Sequence, residues 1–168
     1  RMGNIAFNEP DSDIPSTSRL ILIDQMSRDE MTNSFGTLEQ VPPCSITMGI
    51  QTLLSAHKLF LTAWGEEKAD IVQKIIEGEI TDAIPATYVQ THNDANLICD
   101  LAAASKLTRI IHPWLVTNCE WNDKTIRAAV VWLCQLLGKP ILKLTNKDYN
   151  ENGLSDLLAR FGSAYNCN

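Results

Sequence analysis

Nothing in this chain spells a metal site. Its five cysteines (Cys44, Cys99, Cys119, Cys134 and Cys167) and three histidines (His57, His92 and His112) include no CxxC or CxxH spacing. An odd number of scattered cysteines fits small buried thiols in a reducing cytoplasm rather than disulfides or zinc. Positive charge is scarce. Fourteen Lys and Arg face 20 Asp and Glu, for a net charge of −6 and a pI of about 5.0. That excludes the electrostatic footprint of a nucleic-acid or anionic-membrane binder, so an anionic ligand must be held by a few local cations. The longest apolar run, residues 128–137, is too short to span a bilayer. No internal repeat or low-complexity stretch is present.

What is there suits a packed α/β protein. The 168 residues are 45% hydrophobic, enough for a real core. Residues 19–24 (RLILID) read as a strand, and residues 27–35 as a weak, polar helix. Val41-Pro42-Pro43 forces a break. Residues 46–48 are short and ambiguous, and 49–57 look helical. Residues 58–64 (KLFLTAW) read as a buried strand. Gly65 then leads into a helix over 66–77, whose apolar stripe is Ala69, Val72 and Ile76, with Ile71 and Ile75 beside it. Gly78 ends it, a short strand follows at 96–99, and 102–107 make a helical turn or two. Strand, glycine, helix, strand is the rhythm of a βαβ unit and predicts a mostly parallel sheet.

Beyond residue 108 the character changes. A connector around Pro113 precedes a strongly apolar helix over 123–137, capped by Asn122 or Asp123 and stopped by Gly138-Lys139-Pro140. A turn at 150–153 and a helix at 154–161 close the chain. Residues 1–107 are therefore expected to be catalytic-domain material and 108–168 a helical extension. Trp114, Trp121 and Trp132 read as its core or interface anchors.

The opening run, RMGNIAFNEPDSDIPSTSR, looks like an active-site loop with no strand in front of it. The chain reads as the back half of an enzyme. Pro10 pushes Glu9 toward an extended backbone, next to Asn4, Asn8, Asp11 and Asp13. Glu9 fits a general acid or base tuned by burial, and equally a turn residue bonded to local backbone. Dense Ser, Asp and Pro favour turn and capping chemistry over a metal cluster. At Gly65-Glu66-Glu67-Lys68 the start of a helix offers free N–H groups, and Lys68 adds a positive charge, which fits a phosphate site. Glu66 and Glu67 argue instead for a solvated helix start with an ordinary surface lysine. His57, His92 and His112 are expected to be structural, His92 least clearly so.

Three ordered motifs, GNIAFNEP (3–10), VPPCSITMGIQTLLSAHKLFLTAWGEEKADIV (41–72) and PATYVQTHNDANLICDLAAASKL (85–107), resemble the glucosamine-6-phosphate deaminase/isomerase family. The likeness covers roughly the first two-thirds of the chain. It implies a modified doubly wound, Rossmann-like parallel sheet, of which this chain supplies the C-terminal portion. It also implies a reaction that opens a pyranose ring, moves a proton between C2 and C1, and releases ammonia. No organic cofactor is implied. The family's glutamate falls on Glu9 and its phosphate-binding lysine on Lys68. Its ring-opening histidine has become Asn4, and the carboxylate partner of that histidine has become Met2. Asparagine cannot shuttle a proton, though it can still hydrogen-bond a ring oxygen. The family's second phosphate ligand follows Asn-Ser, where Asn33-Ser34 is here followed by Phe35. Arg19 matches an effector-binding arginine, but Ile21 and Asp13 replace a lysine and a serine there, which argues against an activator at that place.

The sequence from residue 108 onward is similar to the extension in a longer bacterial form that leads to an N-acetylglucosaminyl deacetylase-like domain. The readings that follow are a cytoplasmic, homo-oligomeric amino-sugar-phosphate isomerase/deaminase domain, a non-catalytic sugar-phosphate sensor or accessory domain, and a plain α/β interaction module. Glu9 and Lys68 favour the first, and the loss of the proton shuttle favours the second.

Overall fold

The fold described is that of a computed structural model, and it covers residues 3–168. Met2 lies outside the described residues. The chain divides into two compact units, Arg1–Leu107 and Thr108–Asn168.

The first unit is mixed α/β. Strand β1 (Arg19–Leu22) pairs antiparallel with β2 (Cys44–Thr47), with Arg19 opposite Thr47 and Leu22 opposite Cys44. Between them lies helix α1 (Gln25–Phe35). Its start is set by Asp24, whose carboxylate accepts the Ser27 N–H at 3.0 Å, and its end by Gly36. A short helix α2 (Ile50–Leu54) follows, less than the predicted span. Strand β3 (Leu59–Ala63) then pairs in parallel with β4 (Ala95–Cys99) across helix α3 (Ala69–Glu77). The strand pairing is thus half parallel and half antiparallel, where the sequence rhythm suggested mostly parallel.

Two expectations need correction. Strand β3 is not buried on both faces: Leu59, Leu61 and Ala63 point inward, while Phe60 is 61% exposed. The stripe of α3 is Ala69, Val72 and Ile75, whereas Ile76 is 38% exposed. The cause is a 3-10 segment, Pro85–Thr91, whose Ala86 and Val89 pack on Ile75 and pull the buried face that way. A second cluster joins Val72 to Ala103, Ala104 and Leu107, over Ala63, Leu97 and Cys99.

The second unit is helical: α4 (Thr108–Ile111), α5 (Asp123–Leu137), α6 (Asn146–Glu151), α7 (Ser155–Phe161) and α8 (Ala164–Cys167). Asn122 caps α5 through the Thr125 N–H at 3.0 Å, and Gly138 closes it in a left-handed conformation. Leu133, Tyr149, Leu154 and Leu157 are fully buried. Trp114 lies in the same core, with Trp132 and Trp121 at ring distances of 5.9 and 6.4 Å. Among the described residues no helix is long and apolar enough to cross a membrane.

Lys139 Nζ lies 2.7 Å from Asp148 Oδ1, and Thr145 donates its N–H and hydroxyl to the other oxygen at 2.8 and 2.9 Å. The lysine first, then the Thr145 N–H, lowers the Asp148 pKa to about 2. A carboxyl group whose folded pKa lies below its ordinary value of 3.8 stabilises the fold above that pH and loses the contribution as pH falls toward about 2. Lys139→Met should therefore melt at a lower temperature than the parent at pH 7. The gap should close between pH 4 and 2, as followed by circular dichroism, and a pH-independent gap would disprove the pairing.

Candidate functional site

The loop over residues 3–10 is built on one buried side chain. Asn8 is wholly buried. Its carboxamide donates to Ile5 O at 2.9 Å and Met48 O at 2.7 Å, and accepts from Arg19 Nη1 at 2.8 Å. The Phe7 N–H donates to Thr47 Oγ1 at 3.1 Å, pinning the loop to the end of β2. Ile5 and Asn8 exchange backbone hydrogen bonds across a tight turn in which Ala6 has a φ of 52°. Gly3 enters the loop at φ +76°, and a Cβ there would lie 2.5 Å from Ile84 Cγ2. Only glycine fits that approach. The Gly3 carbonyl accepts the Ala86 N–H at 2.9 Å, so the segment that shapes α3's buried face also fixes where Asn4 begins.

Lys68 is placed by the junction after β3. Gly65 turns the chain at φ +89°, and Glu66–Lys68 form a 3-10 turn before α3 begins. The Gly65 N–H donates to both oxygens of Asp100, at 3.2 and 3.3 Å, so a protein carboxylate already takes that donor. Among the described residues Lys68 has no ion pair.

Asn4 and Lys68 line one cleft of about 290 Å³. Its floor is apolar, formed by Leu61, Ile71, Val72, Ile75 and Leu97, and its far wall is the start of α1, with Asp24, Ser27 and Glu30. Asn4 Oδ1 is buried with no hydrogen-bond partner, an acceptor awaiting a donor. Glu9 does not line this cleft. Its Oε1 accepts the Asp24 N–H at 3.2 Å, placing it behind the cleft wall. Burial, and then its hydrogen bond to the Asp24 side chain, raise the Glu9 pKa. Asp24 is held below the usual aspartate range, chiefly by Ser27.

The remaining candidates are structural in geometry. Arg19 spends its shortest hydrogen bond on Asn8, with weaker reach at 3.5 Å to Thr17 O and Ser12 Oγ. Phe35 is 45% exposed at the end of α1 and does not line the cleft. His92 Nδ1 accepts the Asp94 N–H at 3.0 Å, so its Nε2 carries the proton donated to Ala56 O at 2.7 Å. No group of three metal-binding side chains occurs among the described residues. Residue spacing missed Asn8, Thr47 and Asp24. Only Asp24 left a local signal, as an aspartate three residues before Ser27 at a helix start.

Residues 23–98 match the model of the glucosamine-6-phosphate isomerase/6-phosphogluconolactonase family. A glucosamine-6-phosphate deaminase-like protein of Bacteroides thetaiotaomicron is 65% identical over 168 residues, all of this chain and 25% of that protein. The glucosamine-6-phosphate deaminase of Lacticaseibacillus paracasei is 41% identical over 109 residues, 65% of this chain and 46% of that enzyme. A solved monomeric glucosamine-6-phosphate deaminase superposes with a TM-score of 0.60 at 34% identity, covering 62% of this chain and 44% of that one. Over this segment the chain is similar to the glucosamine-6-phosphate deaminase/isomerase family. It spans less than half the length of each of these relatives. The matched segment of the deaminase/isomerase family runs from the wall of the cleft at Ile23 and Asp24 to the end of β4.

Removing the Asn8 carboxamide leaves Ile5 O, Met48 O and Arg19 short of partners in a buried place. Asn8→Ala should cost about 2–4 kcal/mol in urea unfolding. Asn4→Ala, which breaks no hydrogen bond of Asn4 Oδ1, should cost under about 1 kcal/mol. Equal costs would show that Asn8 does not anchor the loop.

Proposed function

We propose that the first unit binds an amino-sugar phosphate in the cleft shared by Asn4 and Lys68, as part of a deaminase/isomerase that releases ammonia. The observation that carries this is Lys68, a cation lining an otherwise apolar and acidic cleft, which makes no ion pair among the described residues. A phosphate ester is a dianion and takes the lysine end. Asp24 and Glu30 repel it from the α1 end, so the sugar lies that way. Asn4 offers its unpaired acceptor to a sugar hydroxyl. Glu9 serves from behind, through Asp24.

The apolar side chains exposed on β1 and β2, Leu20, Leu22 and Ile46, support further contacts with more of the same polypeptide or with a second copy. The relative that matches all 168 residues extends well beyond them, which supports a longer polypeptide, with the deacetylase-like neighbour as its suggested content. Five unpaired thiols suit a reducing cytoplasm.

The test is ammonia release from glucosamine 6-phosphate by the full-length protein, with binding followed by calorimetry. Lys68→Ala should weaken binding roughly 10- to 100-fold, the worth of a charged hydrogen bond to phosphate. Binding without turnover would favour the sensor reading. Binding unchanged by Lys68→Ala would remove the proposal.

A further inference from the structure

Among the described residues the titratable side chains lining the cleft are Asp24, Glu30 and Lys68, and Asn4 beside them has no titratable proton. Glu30 is exposed on the surface of α1. Asp24 is half-buried and tied at both ends: its Oδ1 accepts the Ser27 N–H at 3.0 Å, and its own N–H donates to Glu9 Oε1 at 3.2 Å. A proton-transfer group has to be held in place within reach of its substrate, and among these three Asp24 alone is a carboxylate so held.

We propose that Asp24 is the proton-handling group of the cleft, carrying a proton from the anomeric hydroxyl to the ring oxygen of the bound sugar. This rests on the sugar-phosphate reading above and assigns a step within it. The anomeric O–H gives its proton to the Asp24 carboxylate while the C1–O5 bond breaks and the C1 carbonyl forms. The same carboxyl then returns the proton to O5, which leaves as a hydroxyl. Charge and protons balance with no co-reactant. Asp24 starts ionised, because Ser27 holds its pKa down, while Glu9 behind it is pushed toward the protonated form. Such a split between neighbouring carboxyl groups marks an acid and a base. Among the described residues the charged groups facing Asp24 are Glu9 on the loop, and Glu30 on α1 and Lys68 in the lining of the same cleft. Glu9 acts as a positioning residue.

Asp24→Asn tests this in the full-length protein, since asparagine caps a helix as well as aspartate does. The kcat for ammonia release should fall by about 100-fold or more, with KM changed less than about threefold, and the acidic limb of the kcat–pH profile should vanish. Asp24→Ser, which also caps without titrating, should behave alike, and Asp24→Glu should recover part of the rate. Parental turnover in either non-titrating variant overturns this assignment alone. No ammonia from the parent protein overturns the deaminase part of that reading and this step with it, whether or not the sugar phosphate still binds. Loss of the fold in both variants, seen by circular dichroism, assigns Asp24 to capping only and likewise overturns it.

Discussion

The Asn8 carboxamide joins three parts of the first unit that lie far apart in sequence. It ties the turn at Ile5, the end of β2 at Met48 and the guanidinium of Arg19 on β1. With the side chain wholly buried, no water can stand in for any of these partners. The left-handed Ala6 beside it persists because the surrounding bonds leave the turn no alternative. Asn4 hangs from this turn at one end and Glu9 at the other. The cleft therefore depends on an uncharged amide more than on its ionised groups. Arg19, which the family resemblance casts as a ligand for an effector, is the outer tie of the same knot.

Local signals in the sequence were the most legible. Helix α5 begins and ends where Asn122 and Gly138 say it should, because capping is settled within a few residues. The strand, glycine and helix around Gly65 were equally plain. The burial of β3 and the inner face of α3 were not legible. Both depend on which segment packs alongside, and Phe60 or Ile75 carry no mark of that in their own neighbourhood. The ambiguous stretch before Gly49 is a strand because β1 pairs with it, a long-range fact.

The site divides in the same way. Lys68 and Asn4 could be named from motif position, and the fold puts them on one cleft. Glu9 could be named too, but its direction could not: it faces the backbone of Asp24, fifteen residues on. Asp24 reads in sequence as the end of a strand, and neither its capping of α1 nor its place on the cleft is visible there.

Strands β3 and β4 pair in parallel, and that geometry carries a cost outside the folded state. A parallel pair cannot close as a hairpin; α3 and the 3-10 segment after it must be made first. Until then the Phe60 and Leu61 stretch waits without its neighbour, and Phe60 and Ile98 stay open even afterwards. A ribosome would thus release this region sticky-side out. Clumping of this segment when it is overproduced by itself is the expected consequence of the late strand pairing together with the open Phe60 and Ile98.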